Sequence, residues 1–168
     1  MDKDSQTIDR LIRDLASDDD SKRIEARHSL VIIGRPAVPH LIGALEDKYD
    51  STRSEAVKAL AEIGGQEAAP GLAKALQDEE FGTRWAAAEG LIAMNAKGLK
   101  ALFQALEEKP DSSLLREGAH HVIQGLARGE LRKYLMPVLV ALEGPAPIPQ
   151  TLVAAYRAME DMQKAKIL

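Results

Sequence analysis

Four histidines, His28, His40, His120 and His121, are the side chains best suited to bind a metal or move a proton near neutral pH. His120 and His121 are neighbours in sequence, so on a helix they point to different sides and cannot grip one ion together. Glu117 and His121 stand four apart, a spacing at which helical side chains do meet. Zinc asks for at least three protein ligands, and no third ligand is spaced to join them. A surface ion pair is therefore the expected state of Glu117 and His121. The chain has no cysteine, which removes thiolate nucleophiles, disulfides and cysteine-ligated metals. Serine, histidine and aspartate are too scattered to suggest a nucleophile beside its base. Neither a P-loop nor a GxGxxG fingerprint is present. The expectation is a protein that is not an enzyme, has no metal site and needs no cofactor.

What does recur is an arginine. Arg23, Arg53, Arg84 and Arg116 follow one another every 30 to 32 residues. Three residues after each comes an alanine (Ala26, Ala56, Ala87, Ala119), and four further on a branched aliphatic (Leu30, Leu60, Leu91, Ile123). A fixed period in this range means stacked units in place of one closed core. Between the arginine segments lies a second repeated stripe, spaced i, i+3, i+4, i+7: Ile8, Leu11, Ile12, Leu15, then Val38, Leu41, Ile42, Leu45, with later copies starting at Ala69, Leu99 and Leu135. That spacing puts one apolar face on a helix. Each unit then holds two helices, and five units (approximately 5–34, 35–65, 66–95, 96–128 and 129–168) fill a single domain, 1–168. Ser5 is expected to cap the first helix. The last stripe is read as Ile148, Leu152, Ala155, Tyr156 and Met159, which puts Pro149 where the arginine would stand. Acidic joints such as Asp47–Asp50 and Asp78–Glu80 favour the start of the following helix. Gly34, Gly64 and Asn95 stand where the second helices must end in a left-handed residue. The proline-rich stretch Gly144–Pro149 is read as the joint inside the last pair.

The unit LxxLIxxLxD…TRxxAxxALxxIG resembles a HEAT repeat, in the short subclass first noted in phycobilisome lyase-like proteins. The resemblance runs from about Thr7 to Met162 and implies an all-α fold, a right-handed α–α superhelix. Its Asp–x5–Arg spacing occurs twice, as Asp47–Arg53 and Asp78–Arg84; Ser17 replaces the acid in the first unit, and Glu108 precedes Arg116 in the fourth. Arg53 falls about 60° from the centre of its buried stripe, on the shoulder of the packed face. An Asp/Arg ladder of Arg23, Asp47, Arg53, Asp78, Arg84, Glu108 and Arg116 is the structural role expected for these residues.

HEAT-like arrays line their concave side with second helices, which sets Ile24, Arg27, His28, Lys58, Phe81, Trp85, Glu89, Ile92 and His121 on or beside one groove. Trp85, the only tryptophan, is the first choice for a contact residue; the other reading folds it over the next unit. Among 168 residues, 45% are hydrophobic but only 4% aromatic, and the net charge is −4. That balance argues against nucleic acid and membrane surfaces, and so against the glycosylases built on similar arrays. The iron-dependent deoxyhypusine hydroxylases share the repeat type but need His-Glu dipeptides, and this chain has none. The reading is a non-catalytic, monomeric, protein-binding scaffold whose partner is another protein. One alternative is a bilin lyase-like or phycobiliprotein-associated subunit, for which the resemblance implies a linear tetrapyrrole and a phycobiliprotein partner; another is a structural module of a larger assembly. The start, MDKDSQTIDRL, is acidic and unlike a secretory signal, so a cytoplasmic location is expected.

Overall fold

The computed structural model describes residues 3–143 and 148–168. Ten α-helices occupy the described residues: α1 (Lys3–Asp14), α2 (Asp20–Ile33), α3 (Val38–Ala44), α4 (Asp50–Ile63), α5 (Ala69–Ala75), α6 (Phe81–Ala93), α7 (Ala96–Glu108), α8 (Ser113–Leu126), α9 (Arg132–Glu143) and α10 (Ile148–Lys164). No strand occurs among those residues. The chain is an all-α superhelix.

The helices end where the sequence loses its ability to continue them. Gly34 (φ 73°) and Gly64 (φ 63°) close α2 and α4, and each returns its amide to the carbonyl four residues back. Asn95 takes the left-handed role between α6 and α7 at φ 55°, a conformation asparagine tolerates better than most residues. Pro39 and Pro70 lie in the first turns of α3 and α5, where a missing amide hydrogen costs nothing. Ser5 lies inside α1 and is not its cap, because that helix starts earlier than its apolar stripe.

The second helices form a row in which α2, α4, α6 and α8 pack in succession. Each also packs on the first helix of its own pair, and first helices meet in α1 with α3 and α5 with α7. The core lies between the rows and runs the length of the stack, filled chiefly by leucines such as Leu15, Leu30, Leu60, Leu91 and Leu106. Close spacing within the second row depends on small residues. A Cβ on Gly90 would come within 2.8 Å of the Ala61 Cβ, so α6 lies tightly on α4.

The last pair departs from the sequence reading in two ways. Its buried face is Thr151, Ala155, Ala158 and Met162, a register three residues later than expected. Tyr156 is 56% exposed, and Leu152 (not Pro149) stands at the arginine position of the repeat. The pair is also exchanged between the rows: α9 packs on α8, while α10 packs on α7 and α9. No arginine stands at the repeat position of α10, and α9 carries a proline in its interior, Pro137. The expected joint at Gly144–Pro149 falls, over 144–147, outside the described residues.

The Gly90 contact gives a test. Gly90→Ala should lower the urea midpoint, by about 1–3 kcal/mol in stability from overpacking, although alanine is the better helix former. Gly82→Ala, in the same helix with no neighbour within 4 Å of the added carbon, should leave stability equal or higher. Equal midpoints for both variants would refute the close approach of α6 to α4.

Candidate functional site

The Asp–x5–Arg spacing turns out to fasten a joint to its own unit. Three times an arginine guanidinium donates to the carbonyl oxygen six residues earlier: Arg23 to Ser17 at 2.6 Å, Arg53 to Asp47 at 3.0 Å and Arg84 to Asp78 at 2.8 Å. The side chain of that same earlier residue accepts an amide two residues on, Ser17 from Asp19, Asp47 from Tyr49 and Asp78 from Glu80. Carbonyls at the end of a first helix are thus satisfied by the second. Ser17 can replace aspartate because both functions need only a short side-chain oxygen and a backbone carbonyl.

As a ladder between units the series has one ion-paired rung. Arg53 donates through Nε and Nη2 to both carboxylate oxygens of Asp78, at 2.7 and 3.1 Å. The pair is largely shielded from water, with side-chain exposures of 15% and 8%. Burial is the largest single influence on the Asp78 carboxyl and pushes its pKa up. The bond from Arg53, the Glu80 amide and the charges of Arg53 and Arg84 outweigh it and hold the group below its usual range. The other rungs do not form as expected. Arg23 pairs with Asp20 of its own helix, the Asp47 carboxylate is used by its own joint, and Glu108 is exposed without an ion pair among the described residues. Arg116 reaches the Thr151 hydroxyl at 3.3 Å.

On the face of the second helices, the structure collects Phe81, Trp85, Glu89 and His121. Trp85 keeps 49% of its surface exposed and Phe81 keeps 63%. Their ring centroids are 6.1 Å apart, and the Trp85 ring lies 4.6 Å from that of His121 on the neighbouring helix. Both sequence readings of Trp85 therefore contain part of the geometry: one side packs on the next unit and the remainder faces out. His121 Nε2 lies 3.0 Å from the Glu89 carboxylate, so its acid partner is on α6 and not at Glu117. Phe81, Trp85 and His121, with Leu114, Glu117 and Gly118, line a pocket of about 120 Å³ between α6 and α8.

Other expected contact residues are occupied or remote. Arg27 is held between Glu55, at 3.4 Å, and Glu62, at 3.6 Å. Lys58 is 2.6 Å from the same Glu55. Ile92 is partly buried because it fills the space beside Gly125. Ile24 is 43% exposed, but on α2, two helices along the row, as is exposed His28. Glu55 is 8% exposed and acts as the anchor of this ionic cluster. Its role escapes spacing arguments because its partner Arg27 comes from the preceding unit. His120 and His40 likewise meet acids on other helices, Glu143 at 3.2 Å and Asp9 at 3.5 Å. Among the described residues no three acids or histidines gather to hold a metal, and no helix is long and apolar enough to cross a membrane.

Comparison with known proteins sets this geometry in context. The family described as HEAT repeats matches residues 38–124. No curated protein matches the chain. Among solved structures, a chain from the complex of CpcE and CpcF of phycocyanin lyase from Nostoc sp. PCC7120 aligns with a TM-score of 0.59 and 24% identity, covering 90% of this chain and 99% of that one. At that identity the likeness is one of fold. It nevertheless overturns the expectation that this chain is not an enzyme. An array of the same fold and nearly the same extent forms part of a lyase, so missing nucleophile or metal motifs do not exclude enzymatic work for such a chain.

The Arg53–Asp78 pair predicts a pH-dependent stability. Asp78→Asn should cost about 1–3 kcal/mol at pH 7, the range for a charge-assisted hydrogen bond that is largely shielded. A lowered folded-state pKa means the contribution is present above the unfolded value, near 4, and is lost as pH falls through the lower folded value. Thermal melts should therefore show parent and variant converging in acid. A gap that persists unchanged to about pH 2 would remove the pair from the stability of the fold.

Proposed function

Because the chain belongs to the HEAT-repeat family, we propose that it recognises a protein partner through the face of its second helices, at the patch around Trp85. The observation that carries this reading is the exposed Phe81–Trp85 pair, held in place by His121 in a protein otherwise poor in aromatics. Exposing two large rings to water is unfavourable by a few kcal/mol, and tryptophan is prominent among residues that dominate binding energy. The His121 ring packs against Trp85 and is itself bonded to Glu89, and a contact side chain packed before binding loses less entropy when a partner arrives.

The structural likeness favours a second reading, a subunit of a bilin-handling, lyase-type assembly whose partner is a phycobiliprotein. The two readings share the requirement for a protein surface and differ in whether a tetrapyrrole is also held. Mixing the chain with a linear tetrapyrrole should shift its visible absorbance under the second reading and leave it unchanged under the first alone.

Trp85→Ala should reduce capture of a native partner from lysate by tenfold or more, the scale of a hot-spot loss of about 2 kcal/mol, with helicity and melting temperature unchanged. Undiminished capture by this variant would move the binding surface elsewhere.

A further inference from the structure

The Trp85 pocket has a chemical preference written into its charges. Its wall on α8 carries Glu117, an exposed carboxylate with no ion pair among the described residues. Glu89 on α6 lies outside the lining and is bonded to His121. The one cation of the pocket, Arg84, is already committed: Nη1 donates to the carbonyls of Asp78 and Glu79, at 2.8 and 2.9 Å, and the guanidinium stands 5.6 Å from the Phe81 ring centroid. The joint it bonds to carries the acids Asp78, Glu79 and Glu80, which offset its charge. The pocket therefore combines open aromatic surface with an unspent negative charge.

Resting on the protein-recognition reading above, we infer that this pocket receives a basic side chain, arginine or lysine, from the partner protein. The stem of such a side chain lies along Trp85 and Leu114 while its charged end meets Glu117. Aromatic rings attract cations through their negative faces, and a guanidinium matches a carboxylate with two parallel hydrogen bonds. A volume of about 120 Å³ gives room for one long side chain. An aliphatic anchor would leave Glu117 facing apolar surface without a partner, and an acidic one would set like charges together.

Trp85, the only tryptophan, reports directly on the pocket. The full-length chain is titrated with N-acetyl-arginine amide, its neutral counterpart N-acetyl-citrulline amide and N-acetyl-leucine amide, and Trp85 emission is followed. The arginine probe should give a saturable change that is about tenfold stronger in affinity than either neutral probe and weakens as salt is added. Glu117→Gln, a change at an exposed position that leaves the fold intact, should abolish most of that preference. Equal responses to arginine and leucine probes would overturn the inference, as would an absent response or an arginine preference that survives Glu117→Gln. The broader reading is judged separately, by capture with Trp85→Ala. Loss of capture alongside indifferent probes leaves a recognition surface of other specificity, whereas retained capture removes the surface itself.

Discussion

No helix pair in this chain can cover its own apolar surface. Each second helix carries a stripe such as Thr52, Ala56, Ala59 and Leu60 that is buried by its own first helix on one flank and by the neighbouring second helix on the other. Stability is therefore a property of neighbours in a row, and the core is a seam along the stack. Small residues set its width. Ala61 against Gly90 and Ile92 against Gly125 let successive helices come close enough to exclude water without aromatic side chains.

The recurring arginine serves this seam at its weakest point. A short joint between antiparallel helices leaves carbonyl groups without helical partners, and burying them unpaired would be costly. In three units the guanidinium bonds the carbonyl at the start of the joint, while the side chain at that same residue holds an amide two positions on. Of the three, only Arg53 also pairs with the acid of the next unit. The series is thus a set of local fastenings with one tie between units. The last pair, which lacks the arginine, takes a different placement.

A stack fastened in this way leaves its face free to vary. Residues on the outward side of α6 and α8 contribute little to the seam, so Phe81, Trp85 and Glu117 can be exposed without loss of fold. The neighbouring region of α2 and α4 spends its charges internally, with Arg27 and Lys58 gathered on Glu55. The outward face is accordingly uneven, with a closed ionic cluster at one part of the row and an open aromatic, acidic pocket at the other. A chain of a phycocyanin lyase complex shares the fold that this seam supports.

The helical repeat, its period, the apolar stripes and the glycine and asparagine stops were legible from residue spacing alone, because these depend on spacing along a single helix and on local backbone sterics. Spacing also singled out the recurring arginine, and composition the lone tryptophan, Trp85. Partners lay beyond both: Glu55 for Arg27, Glu89 for His121 and Asp78 for Arg53 come from other units, and sequence distance says nothing about which of several nearby acids a long side chain will reach. The exchange of α9 and α10 between the rows was decided only in three dimensions. Both helices are apolar on one side, and which row each enters depends on the surface that α7 and α8 together leave uncovered.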